Sequence, residues 1–283
     1  MQGMGKTMLN IRSHMNGLTK TEQKVAQYIL DHADETIYYS VTELAEKVGV
    51  GETSVLRFCR KLKYSGFQDF KLSLAQDLVM PTEQLHKEVA EEDAPGALSQ
   101  KIIATHMQIL EQTRELIHEE QLSKAIDTLV EASGIYFFGV GTSGLIATQA
   151  AHSFMRIGKS SSAHTDSHFQ AMQASLIGKG DVAVGISITG STKDTIENLE
   201  RAKHTGAKII AITSNARSPI TKVADIILIM AAWENPLQGS SLAAKISQLA
   251  VIDILNVAVA LKTKDEALKY REMTAKATSS KLY

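Results

Sequence analysis

Two short loops in the second half of the 283-residue chain restrict its fold more than any other feature: Gly139-Val140-Gly141-Thr142-Ser143-Gly144 and Ser187-Ile188-Thr189-Gly190-Ser191-Thr192. Each follows a short apolar run, at 135–138 and 182–186, and each leads into a helix-like stretch. Runs this short, rich in β-branched and aromatic residues and bounded by glycine, read as buried parallel strands. The residues after them then open helices, where unpaired backbone N–H groups and the helix dipole favour an anion. Gly141 and Gly190 let the backbone approach a ligand closely. The hydroxyls of Thr142, Ser143, Ser187, Thr189, Ser191 and Thr192 add donors without charge. Two such loops at the carboxyl ends of strands in one sheet can converge on a single phosphate. The plain alternative, for either loop alone, is an ordinary strand-to-helix turn capped by Ser or Thr.

The first loop also spells G-x-G-x-x-G, and Asp166 stands near the distance of a ribose-binding carboxylate. A dinucleotide site gives no use for the second hydroxyl cluster, so no cofactor is expected. Candidate strands at 135–139, 160–164, 181–187, 207–213 and 225–230 alternate with helical stretches. That alternation predicts a five-stranded parallel sheet covered on both faces, a three-layer α/β/α fold. Ligands in such sheets bind outside the carboxyl ends of the strands, which also brings 160–168 toward the crevice. His164 and His168 flank Asp166, but their spacing crosses a strand-to-helix turn, and no metal site is expected.

The first 77 residues read as compact helices. Thr19 with Glu22, and Ser40 with Glu43, each form the capping-box spacing. Residues 49–51, Gly-Val-Gly, make a turn between two short helices, the second running over 52–62; this is the helix-turn-helix pattern. Projected at the helical period, Val55, Cys59 and Leu62 share the core face, with Phe58 at its edge. Thr53, Arg57, Arg60 and Lys61 fall opposite, with Ser54 and Glu52 flanking, while Lys63 and Lys71 extend the positive surface. Residues 51–72 hold five basic and two acidic side chains, although the whole chain carries a formal charge of −1. A local basic face on a neutral protein suits docking on a phosphate backbone. Arginine can also read guanine, and Ser or Thr can reach base edges.

Residues 78–100 are acidic and contain breakers, with five acids to one lysine over 81–100, and read as a linker in which 83–90 can be helical. The period over 97–132 is helical. The expected division is therefore 1–77 for the helix-turn-helix domain, 78–100 for the acidic linker, and 101–283 for the α/β domain with a leading helix. The single cysteine, Cys59, excludes an internal disulfide and suits a reducing compartment. No leader-like segment and no run of 18 apolar residues is apparent, so a cytoplasmic protein without a membrane span is expected.

The stretch 135–261 resembles a SIS domain, the sugar isomerase fold that binds phosphorylated sugars. The likeness lies in G-V-G-T-S at 139–143, S-I-T-G-S-T-K-D at 187–194, G-D-V at 180–182 and S-Q-L-A-V-I-D-I-L at 247–255. It implies that Ser143, Ser187, Thr189 and Thr192 hold a sugar phosphate, with Ser191 between them. Thr213, Ser214, Asn215 and Ser218 are then placed to meet sugar hydroxyls, and Glu234 and Asn235 to cover the pocket. The N-terminal segment resembles that of the RpiR family of bacterial regulators, through L-T-K-T-E-Q-K-V-A-Q-Y-I at 18–29 and V-T-E-L-A-E-K-V-G-V at 41–50. The likeness continues through T-S-V-L-R-F-C-R-K-L at 53–62 and Y-S-G-F-Q-D-F-K at 64–71. That family joins this domain to a SIS domain. One departure is Gly51, where the family usually has serine at the cap of the recognition helix.

Two function classes follow. The first is a non-enzymatic, DNA-binding regulator of sugar-metabolism genes, a repressor rather than an activator. Its effector would be a phosphosugar and its partners operator DNA and further copies of itself, as a dimer or tetramer. The second is a sugar-phosphate isomerase, which needs a base beside the reacting carbons and has no use for 18–72.

Overall fold

The computed structural model describes residues 6–78, 92–232 and 242–281. The chain divides into two compact units, the first running to Thr105 and the second from His106 onward, with 233–241 set aside.

The first unit is helical: α1 Lys6–His14, α2 Lys20–Asp31, α3 Ala33–Thr36, α4 Val41–Val48, α5 Glu52–Lys61 and α6 Phe67–Leu78. Both expected capping boxes form. Thr19 Oγ1 accepts from Glu22 N–H while Glu22 accepts from Thr19 N–H, and Ser40 and Glu43 repeat the arrangement. Gly49 ends α4 in the left-handed conformation, φ +72°, which a side chain would strain. The core gathers Val25, Ile29, Leu44, Val55, Phe58, Cys59, Phe70 and Leu74. Phe58 is fully buried rather than at the edge of α5, because α6 covers that flank and sets Phe70 edge-on against it, ring centres 5.6 Å apart.

Lys71 does not extend the basic surface. It is 5% exposed, its Nζ donates to the Tyr39 carbonyl at 2.7 Å, and burial pushes its pKa down to about 8. Helix α7, Pro95–Leu116, opens on a proline, whose missing N–H is no loss at a first helical turn, so helix begins inside the acidic stretch. The expected helix at 83–90 lies outside the described residues.

The helical period over 97–132 is broken after Leu116: His118 is extended, and α8, Glu119–Glu131, starts anew with two glutamates in its first turn. The strands are β1 Ile135–Phe138, β2 Ser161–Ala163, β3 Val182–Ile186, β4 Lys208–Thr213 and β5 Ile226–Ile229. Between and after them come α9 Thr142–Arg156, α10 Ser167–Leu176, α11 Lys193–His204, α12 Pro219–Val223, α13 Leu242–Lys262 and α14 Lys264–Ser279. All strand pairs are parallel, in the order β2-β1-β3-β4-β5. Side chains alternate across each strand. Phe137, Val184, Ile210 and Ile212 therefore join α8, α9 and α13 on one face, while Phe138, Ala183, Ile209 and Ala211 join α10, α11 and α12 on the other. Three layers result.

Helix α13 has the length and apolar composition of a membrane span. Its inner face instead lies in the α/β core, through Ala244, Val251, Ile252, Leu255 and Val259, and carries Ser247, Gln248 and Asn256 among them.

Candidate functional site

The chain leaves β1 toward β2 on one side and reaches β3 on the other, so the strand order reverses between β1 and β3. A crevice opens at such a switch point, outside the strands' carboxyl ends. Phe138 of β1 pairs with Gly185 of β3, so the loops 139–144 and 187–192 leave neighbouring strands side by side. The first leads directly into α9 and the second into α11, so two helix N-termini with free N–H groups face the same opening.

Each loop is held in place by its surroundings. A side chain on Gly139 would meet the Ser143 backbone at 2.7 Å, because the strand end and the first turn of α9 touch there. Gly190 has φ +64°, and a Cβ there would stand 2.1 Å from Ser218 Oγ. Only glycine fits either position. Ser143 is buried and its Oγ accepts from Gln248 Nε2 at 3.1 Å. Ser187 and Thr192 share a hydrogen bond between hydroxyls at 2.9 Å, and Thr189 Oγ1 accepts from Ser191 N–H at 3.3 Å. Thr142, Thr189, Ser191 and Thr192 remain partly exposed at the opening, and Gly141 is exposed. The site thus collects hydroxyl and backbone donors, and neither loop carries a charged residue.

Thr213, Ser214 and Asn215 serve the loop. Thr213 Oγ1 and Ser214 Oγ both donate to the Ile188 carbonyl, at 3.0 and 2.7 Å, and Asn215 Nδ2 donates to the Thr189 carbonyl at 3.2 Å. Ser218 Oγ donates to the Asn215 carbonyl. These side chains tie the carbonyl edge of the second loop to the end of β4. Glu234 and Asn235 lie outside the described residues.

Asp166 caps α10, accepting from His168 N–H and Phe169 N–H at 2.9 and 3.1 Å. That role accounts for its carboxylate without a ribose. His164 Nε2 lies 3.3 Å from Gln173 Oε1, and His168 is exposed at the start of α10. No cluster of three metal-binding side chains occurs among the described residues. An open groove of about 760 Å³ runs beside α11, lined by Glu197, Glu200, Arg201, Lys203 and His204, and includes neither loop.

Sequence reasoning did not single out two buried glutamines. Gln170 of α10 donates to the carbonyls of Gly139 and His164, both at 2.8 Å, and Gln248 holds Ser143. The signal for Gln248 was its place in the apolar stripe of α13, four residues after Ala244 and four before Ile252.

In the helical unit, Thr53, Arg57, Arg60, Lys61 and Lys63 are exposed along and just beyond α5, with Ser54 half-buried. Neither Arg57 nor Arg60 has an ion-pair partner among the described residues. Lys61 differs: its Nζ lies 3.1 Å from Glu22 Oε2, the same oxygen that accepts from Thr19 N–H, which ties α5 to the start of α2. Lys63 has φ +68°, left-handed backbone rarely adopted by residues other than glycine. Gly51 caps α5 without a side-chain acceptor, and Glu52 Oε1 accepts from Thr42 Oγ1 at 2.6 Å, joining the two helices of the motif.

A helix-turn-helix with a basic face on which only Lys61 is paired among the described residues, carried on one chain with a doubly covered parallel sheet, is the build of a transcriptional regulator with an added α/β domain. Residues 5–81 match the helix-turn-helix domain of the rpiR family and residues 128–258 match the SIS domain. The chain is 37% identical over 269 residues to an HTH-type transcriptional regulator of Caldanaerobacter subterraneus, covering 95% of both proteins. It is 33% identical over 259 residues to the HTH-type transcriptional regulator HexR of Pseudomonas aeruginosa, covering 92% of this chain and 90% of that protein. The structure of the Vibrio vulnificus NanR protein complexed with ManNAc-6P superposes with a TM-score of 0.88 at 27% identity, covering 98% of this chain and 99% of that one. The chain belongs to the rpiR family of helix-turn-helix transcriptional regulators.

Proposed function

We propose that this regulator senses a phosphorylated sugar in the crevice between β1 and β3 and answers by changing its affinity for operator DNA. The observation that carries the reading is the meeting of two hydroxyl-rich, helix-opening loops at the sheet's switch point. Oriented neutral donors and two helix N-termini satisfy a phosphate's oxygens. Ser143, Ser187, Thr189, Ser191 and Thr192 then take the phosphate with the backbone at Gly141, Thr142 and Gly190. The likeness to a NanR structure holding ManNAc-6P supports the same ligand class. Arg57, Arg60 and Lys63, with Thr53 and Ser54 at the front of α5, dock on DNA, while Lys61 shares its charge with Glu22.

The protein acts as a homo-oligomer, since paired recognition helices about one helical turn apart match a near-palindromic operator. It binds rather than transforms the sugar, and represses rather than activates. A thermal-shift screen against sugar phosphates, ManNAc-6P among them, with free sugars and NAD(P) as controls, tests the ligand class. A shift confined to a phosphorylated sugar and lost in Ser143→Ala is expected. A shift with NAD(P) alone would overturn the reading.

A further inference from the structure

Gln248 sits fully buried on α13, and its amide is only half used. Nε2 donates to Ser143 Oγ at 3.1 Å, whereas Oε1 has no hydrogen-bond partner among the described residues. A buried carbonyl oxygen left without a donor destabilises the fold. Its neighbours one turn away along the inner face of α13 are apolar, Ala244, Val251 and Ile252, all in the core. An apolar side chain of similar volume would fill this position without an orphaned oxygen. Packing therefore does not explain the glutamine.

The contact to Ser143 does. A serine hydroxyl has one hydrogen and two acceptor positions. With the Gln248 amide occupying one acceptor position, the hydrogen cannot be spent on Gln248 and remains for a group in the crevice. The opposite polarity would draw the hydrogen inward and turn lone pairs toward an approaching anion. We propose that Gln248 is a positioning residue of the anion site, holding the Ser143 hydroxyl as a donor toward the ligand's phosphate. The inference rests on the phosphosugar reading above. It assigns α13 a part in recognition that neither loop discloses, and sets the site's preference for acceptor-only ligands before any ligand arrives.

The test uses the full chain with inorganic phosphate as the probe, its affinity read by phosphorus NMR titration and folding by melting temperature. Gln248→Met is expected to keep or raise the melting temperature while weakening phosphate about ten-fold, the scale of one hydrogen bond to a charged group. Adding Gln248→Met to Ser143→Ala should weaken phosphate no further, since the amide acts only through that hydroxyl. Gln248→Glu, nearly the same shape, should bind more weakly than Gln248→Met, because a carboxylate takes the serine hydrogen and repels the anion. It also serves as the test if Gln248→Met does not fold. Wild-type affinity in either glutamine variant, alongside weakened binding in Ser143→Ala, would overturn this inference and leave the phosphate site standing. A loss in the double variant equal to the product of the single losses would overturn it too. Unchanged binding in Ser143→Ala would instead remove the phosphate reading, and this inference with it.

Discussion

Lys71 gives the helical unit a stability that depends on pH in a direction that can be worked out. Its ammonium is buried, donates to the Tyr39 carbonyl, and lies 5.7 Å from the centre of the Phe67 ring. Desolvation is the largest influence and lowers the pKa from 10.5 to about 8, with Glu43 pulling weakly the other way. The folded pKa is below the unfolded one, so between them the unfolded chain holds more protons and stability rises with pH. Below about pH 8 both states are protonated and the burial penalty is fully present; above 10.5 it is gone. The full gap is worth about 3 kcal/mol, of which about 2 kcal/mol is recovered by pH 9.5. Lys71→Met should remove this dependence. The assay is urea unfolding of the full chain at pH 7 and pH 9.5, with pulsed hydrogen exchange on α6 peptides reading the helical unit separately. The stability of wild type relative to Lys71→Met should rise by about 2 kcal/mol between the two pH values. A constant difference would refute the reasoning, since it would mean that the lysine titrates alike in both states.

Other consequences follow from single residues. Arg57→Ala should weaken operator binding and lower its log–log salt slope by about 1, leaving sugar-phosphate binding intact, as read by fluorescence anisotropy at several salt concentrations. Lys63→Gly should stabilise the helical unit by about 1 kcal/mol in urea unfolding, by relieving left-handed strain, while operator affinity falls with the lost charge. Gly190→Ala should destabilise the α/β unit by about 2 kcal/mol and abolish the sugar-phosphate thermal shift, because positive φ and the contact with Ser218 both forbid a side chain.

Periodicity and glycine-bounded apolar runs reported the fold's elements well. All five strands fall within their expected ranges, and both capping boxes form as their spacing implied. Strand order was not readable, since Val182 pairing with Ile135 rather than with β2 depends on crossovers that no local pattern encodes. The break at 117–118 was hidden because Ile117 and His118 continue an acceptable helical period, and tertiary packing of α8 against α13 decides the restart. Lys71 misled for a related reason: charge predicts exposure unless a neighbouring element closes over it, and its acceptor lies 32 residues away in sequence. Within the site, the hydroxyl loops were legible from composition and position. The supporting side chains were not, because Gln170, Gln248, Thr213 and Asn215 act through contacts 25 to 105 residues apart in sequence.

The central claim is that the two units exchange binding free energy, which requires reciprocal effects of sugar phosphate on operator affinity. The most direct test titrates a labelled operator fragment with the full chain, with and without a sugar phosphate held at a concentration that saturates its thermal shift. The account predicts an operator dissociation constant changed by about five-fold or more, and a matching change in sugar-phosphate affinity when operator is present. Identical operator affinity with the crevice filled would contradict it.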